Sequence, residues 1–110
     1  MKQIGILVIS VVCIVGMNAA RADGGETIFK SLGCMSCHKT ESTSKVNPSL
    51  TEISLAYQGK EAQLVKYLQG ESEAIVRPQK ARLMKRYIEK TQKLSDADRK
   101  ALADFLLRQQ

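Results

Sequence analysis

The chain has 110 residues, 44% hydrophobic and 25% charged, with three cysteines, one histidine, no tryptophan and a formal charge of +6. That length makes one domain with a modest core. The basic excess is too small and too evenly spread to argue for a nucleic-acid ligand, though it can steer the protein toward an acidic docking patch.

Met1-Lys2 gives a short positive start, and Ile4 to Met17 is an almost wholly apolar run. Asn18-Ala19-Ala20-Arg21-Ala22 closes it with small residues. Together they read as a signal peptide over residues 1–22, cleaved after Ala22, with cleavage after Ala20 as the near alternative. The run is short for a membrane span, and a retained anchor is the competing reading. Cys13 lies inside the run and leaves with it. What remains is one domain, residues 23–110, of 88 residues and formal charge +4, since Lys2 and Arg21 are lost. Export places the chain in the periplasm.

Asp23-Gly24-Gly25 reads as a flexible acidic start, and Glu26 to Leu32 as a short helix with Ile28, Phe29 and Leu32 on one face. Gly33 ends that helix and lets the chain turn into Cys34. Cys34-Met35-Ser36-Cys37-His38 then spells C-x-x-C-H, the attachment signature for c-type haem. Two thiols at this spacing can add across the two vinyl groups of one haem, and the adjacent imidazole can ligate iron from one face. His38 is the only histidine, so no other residue can serve as that imidazole. A redox disulfide of the thioredoxin kind requires a strand before the motif, and no Val/Ile-rich strand pattern occurs there. A zinc ribbon requires a second Cys or His pair, which the chain lacks.

Lys39 to Asn47 is polar and reads as a surface loop. Ser49 or Thr51 can cap a helix over Thr51 to Tyr57, with Leu50, Ile53 and Tyr57 turned inward. Gly59 breaks it. Lys60 to Gln69 is a clearer helix with Leu64, Val65, Tyr67 and Leu68 on its apolar side, ended by Gly70. Glu71 to Val76 is a connector. Pro78 opens a short helix to Leu83, Met84 stands at or just past its end, and Lys85 to Lys93 is expected to add one helical turn around Tyr87 and Ile88. Ser95 caps the last helix, Asp96 to Arg108, whose Leu102, Phe105 and Leu106 form one stripe.

With these segments in order, residues 24–110 resemble a monohaem class I cytochrome c, of the small bacterial type with an extended loop after the ligand methionine. The shared stretches are Cys34 to His38; Pro48-Ser49-Leu50 with Ile53 and Tyr57; Gly59-Lys60-Glu61 leading to Leu64 and Leu68; Met84; and Leu94-Ser95-Asp96 running to Ala103-Asp104-Phe105-Leu106. The resemblance implies an all-α fold of four to five short helices around one covalently attached haem c. It implies thioethers at Cys34 and Cys37, His38 as proximal ligand with its free N–H on the Pro48 carbonyl, and Met84 as distal ligand. It sets Phe29 across the Leu102/Phe105/Leu106 stripe, and Pro48, Leu50, Ile53, Tyr57, Leu64 and Leu68 around the cofactor. Asn47 stands where the family has glycine before the proline, and the turn is expected to survive because asparagine tolerates left-handed backbone. Lys85-Arg86 stands where a proline often follows the methionine.

The residues bear on the sixth ligand independently. A second histidine is absent, Met1 and Met17 belong to the signal peptide, and Met35 sits inside the attachment loop. Met84 is the methionine placed to fold back over the ring. Core filling is the competing use of a methionine, and lysine ligation or an open site are the other outcomes. A thioether raises the potential and saturates the iron. The expectation is a non-enzymatic carrier: a periplasmic monomer that shuttles single electrons between redox proteins by transient docking, with no stable membrane insertion after cleavage. The alternatives are a haem enzyme or gas sensor with a displaceable distal ligand, and a bound subunit of a dehydrogenase. Tyr57 or Tyr67 can hydrogen-bond a propionate or the methionine sulfur, or simply pack. Lys30, Lys39, Lys80, Lys85 and Arg86 are candidates for a basic ring at the haem edge, against the plainer reading as solvated surface charges.

Overall fold

A computed structural model describes residues 20–110. The expected signal peptide therefore lies almost wholly outside the described residues, together with Met1, Cys13 and Met17. Five α-helices follow in order: α1, Ala20–Ser31; α2, Leu50–Ala56; α3, Glu61–Leu68; α4, Lys85–Gln92; and α5, Asp96–Leu107. Two 3-10 segments, Cys34–Ser36 and Pro78–Met84, complete the regular structure. There is no strand among the described residues, so the βαβ setting of a thioredoxin-like disulfide is absent from them.

The first and last helices cross each other and form the main packed pair. Phe29 of α1 is buried, and its ring sits 5.3 Å, centroid to centroid, from that of Phe105. Leu102, Ala103 and Leu106 of α5 close the same core with Leu64 and Leu68 of α3 and Leu50 and Tyr57 near α2. Each large apolar side chain so buried contributes roughly 1.5–3 kcal/mol. The start of α1 corrects the flexible reading of Asp23-Gly24-Gly25, because all three residues lie within the helix. Gly25 is there for proximity. A Cβ on it would collide with the Ala101 carbonyl of α5 and stand 2.7 Å from Phe105 Cβ. Gly25, which looks like part of a loop in the sequence, is thus a point of close approach between the two helices.

Local chemistry sets the other boundaries. Gly33, Gly59 and Gly70 have φ of 78°, 72° and 76°, left-handed backbone that glycine adopts without a side-chain penalty, and each follows a helix end. Ser49 Oγ accepts from the Glu52 amide at 3.1 Å and Ser95 Oγ from Asp98 at 3.1 Å, capping α2 and α5. Lys85 to Lys93 departs from expectation: it forms a two-turn α-helix rather than a single turn. Its docking is polar. Buried Thr91 donates to the Leu68 carbonyl at 2.6 Å, and Gln92 Nε2 to the Gln69 carbonyl at 3.0 Å, so α4 satisfies the open C-terminus of α3. Buried Arg99 donates to the carbonyls of Thr91, Gln92 and Leu94 where α4 ends, sharing that of Thr91 with the Leu94 amide. Ser54 donates to the Leu107 carbonyl at 2.8 Å and ties α2 to the end of α5.

Candidate functional site

The helices enclose a cavity of about 680 Å³, within the range of small-molecule and cofactor sites. Cys34, Cys37, His38 and Met84 all line it. Phe29, Ile53, Leu64, Leu68, Val76 and Leu102 supply much of the apolar surface between them.

The motif folds as one tight turn. Gly33 reverses the chain, and the Cys34 carbonyl accepts from the amides of Cys37 at 3.3 Å and His38 at 3.0 Å. That turn brings both thiols to the cavity. Burial pushes the Cys34 thiol above its ordinary range; a backbone hydrogen bond and the Lys90 charge pull less strongly the other way. His38 is buried, and its Nδ1 donates to the Pro48 carbonyl at 2.8 Å. A carbonyl only accepts, so the proton is on Nδ1 and the Nε2 lone pair is left for a metal.

Pro48 is held from both sides. The Leu50 amide donates to the Lys39 carbonyl at 2.7 Å, and Thr51 Oγ1 to the Thr40 carbonyl at 3.0 Å, closing the loop at its base. Ser44 Oγ accepts from the amides of Val46 and Asn47 ahead of the proline. Asn47 does not take the left-handed conformation expected of a glycine replacement; the one non-glycine residue with positive φ among those described is Arg77. The turn is built from the Ser44 hydroxyl instead.

Of the residues expected around a cofactor, Cys34, Cys37, His38, Pro48, Ile53, Tyr57, Leu64, Leu68 and Met84 all line the cavity. Leu50 does not. It is 5% exposed, within the helix core behind the wall. Tyr57 and Tyr67 both face the cavity with ring centroids 6.5 Å apart. Burial pushes the Tyr57 phenol up to about 12, with a smaller opposing pull from a hydrogen bond to the Ile75 backbone, and burial also raises Tyr67. Lys80, Lys85 and Arg86 reach the cavity rim. Lys30 and Lys39 do not: Lys30 pairs with Glu26 at 3.1 Å, and Lys39 donates to the Met35 carbonyl at 2.8 Å. Arg77 also lines the cavity, a residue the sequence reading passed over.

These residues fit a haem. The cavity is largely apolar and roomy, and two thiols, an imidazole with a free lone pair and a soft thioether all line it. No group of three or more His, Cys, Asp or Glu side chains offers a separate metal site among the described residues. Residues 22–110 match the family model described as Cytochrome c. No curated protein matches the chain.

Proposed function

Since this chain belongs to the cytochrome c family, whose chemistry is haem-based electron transfer, we propose that it is an exported carrier of single electrons, with one haem c whose iron is ligated by His38 and Met84. When bound, the haem supplies the one-electron couple; the protein's part is to hold and tune it.

Cys34 and Cys37 anchor the group through thioethers. His38 would present Nε2 in a fixed tautomer because its Nδ1–H donates to the Pro48 carbonyl, and such an outer partner orients the imidazole and raises its basicity. Met84 would supply a thioether as the second iron ligand, which would raise the potential and leave no coordination position for oxygen or peroxide. Phe29, Leu64, Leu68 and Leu102 keep water from the ring. The positive charges of Lys80, Lys85 and Arg86 stand at the rim, where an acidic redox partner can be steered and released quickly. On this reading the protein is not an enzyme. It works as a periplasmic monomer after removal of residues 1–22. No helix among the described residues is long and apolar enough to cross a membrane.

The observation that carries the reading is the presence of His38, tied to Pro48, and Met84 on the wall of the same cavity. The test is the absorption spectrum of the exported, matured protein, oxidised and reduced. The ferric form is expected to show the near-infrared thioether charge-transfer band, and Met84→Ala to lose it. Ready binding of carbon monoxide by the unmodified ferrous protein would favour a gas-binding protein instead.

A further inference from the structure

Arg77 combines two unusual features. Its backbone is left-handed, with φ 50° and ψ 61°, directly before Pro78. A non-glycine residue is disfavoured in that region, and a following proline restricts it further. Such a conformation persists where the surroundings over-determine it. Here the surroundings are the residue's own side-chain contacts. Arg77 Nε and Nη2 donate to Glu52 Oε1 and Oε2 at 3.2 and 2.8 Å, a fork-on-carboxylate pair, and Nη1 donates to the Ser44 carbonyl at 2.6 Å.

The positions of these partners give the contact its meaning. Ser44 lies four residues before Pro48 and Glu52 four residues after it. One guanidinium therefore grips both flanks of the turn whose carbonyl holds His38. Ser44 belongs to that turn directly, since its hydroxyl accepts from the Asn47 amide at 3.0 Å. On its own chain, Arg77 opens the 3-10 segment that ends at Met84.

We infer that Arg77 is a positioning residue that couples the two ligand-bearing segments, fixing residues 78–84 against the Pro48 turn and so setting how readily Met84 leaves the iron. The inference rests on His38/Met84 ligation. Removing the grip leaves Met84 in place and makes its departure easier.

The experiment uses matured ferric holoprotein and imidazole, which binds only when the sixth position opens. Apparent affinity then reports the fraction opened. Three variants separate the contributions. Glu52→Gln removes the carboxylate and leaves Arg77 untouched. Arg77→Lys keeps the charge without the planar fork. Arg77→Gly removes the grip while accepting the backbone conformation without strain. All three are expected to bind imidazole about fivefold to tenfold more tightly than the unmodified protein, with the charge-transfer band still present when imidazole is absent. A purely structural role would lower the unfolding midpoint and leave imidazole affinity unmoved. Affinities within about twofold of the unmodified protein in all three variants overturn the inference. Met84→Ala is the control. If it keeps the charge-transfer band, or the unmodified protein lacks one, the ligation reading itself has failed and the inference falls with it. If Met84→Ala loses the band and the three variants bind imidazole normally, only the coupling by Arg77 has failed.

Discussion

His38 Nδ1 lies 2.8 Å from the carbonyl oxygen of Pro48, a bond whose acceptor is backbone and therefore not removable by changing the side chain at position 48. What a mutation can reach is the support of that carbonyl. Ser49, the next residue, caps α2 through the Glu52 amide. Ser49→Ala is expected to cost about 1 kcal/mol in denaturant unfolding. Pro48→Ala keeps the carbonyl and loosens the backbone, and should cost less, about 0.4–1 kcal/mol.

Two adjacent glycines should respond oppositely to the same change. A Cβ at Gly25 meets the Ala101 carbonyl and Phe105, whereas one at Gly24 meets nothing within 4 Å. Gly25→Ala is expected to destabilise by about 1–3 kcal/mol through forced separation of α1 and α5. Gly24→Ala should be neutral or stabilising by up to ~1 kcal/mol, because alanine favours helix. Thermal unfolding of the pair checks both signs.

Arg99 and Asp96 are ion-paired at 2.9 Å, yet their side chains are 6% and 97% exposed. The value of the contact lies on the arginine side. Arg99→Ala removes a donor from three carbonyls where α4 ends, only that of Thr91 keeping a backbone amide, and should cost roughly 2–4 kcal/mol. Asp96→Ala removes one well-solvated charge and should cost under about 1 kcal/mol. Arg99→Lys is expected to rescue little, since one ammonium cannot reproduce the fork. Urea unfolding of the three variants distinguishes these outcomes.

Tyr57 predicts an alkaline dependence. Its unfolded phenol keeps the ordinary value of 10.0, and the folded one stands at about 12. Between these values the unfolded chain has released the proton and the folded one has not, so stability falls as pH rises. The contribution is fully present below pH 10 and is lost as pH climbs through 10 toward 12. Denaturant midpoints taken across that window should fall less steeply in Tyr57→Phe, with Tyr67 supplying part of the remaining slope.

Features with a local cause were legible in the sequence. The turn at Gly33, the caps at Ser49 and Ser95, and the grouping of Cys34, Cys37 and His38 depend on neighbours a few residues away. What escaped depends on distant partners. Gly24-Gly25 looks like a loop until Ala101 is brought against it. Lys85 to Gln92 hides its periodicity because the residue that docks it most tightly, Thr91, is polar and hydrogen-bonds Leu68, 23 positions earlier. Leu50 is apolar and correctly inward, but inward has two directions here, toward the cavity or toward the helices behind it, and residue type does not choose between them.

Arg77 and Arg99 were invisible for a related reason. Among 17 basic residues, these two arginines carry no signal of their own. Arg99 is distinguished by its burial, and Arg77 by a carboxylate 25 residues away and a carbonyl 33 residues away. Asn47 shows the converse. Its identity suggested a left-handed turn, and a serine three positions earlier made that turn unnecessary.

The crossing of α1 on α5 has a consequence for the order of events during biosynthesis. The two helices that meet at Gly25 and Ala101 lie at opposite ends of the described chain, and Leu102 and Leu106 are part of the cavity wall. Without α5 that part of the wall is missing and Phe29 loses Phe105 and Leu102, whereas the turn from Cys34 to His38 depends only on neighbours a few residues away. Closing so long a loop is slow compared with forming the local turns. A chain truncated before Asp96 is therefore expected to keep the Cys34 to His38 turn and lose the side of the cavity that Leu102 and Leu106 supply.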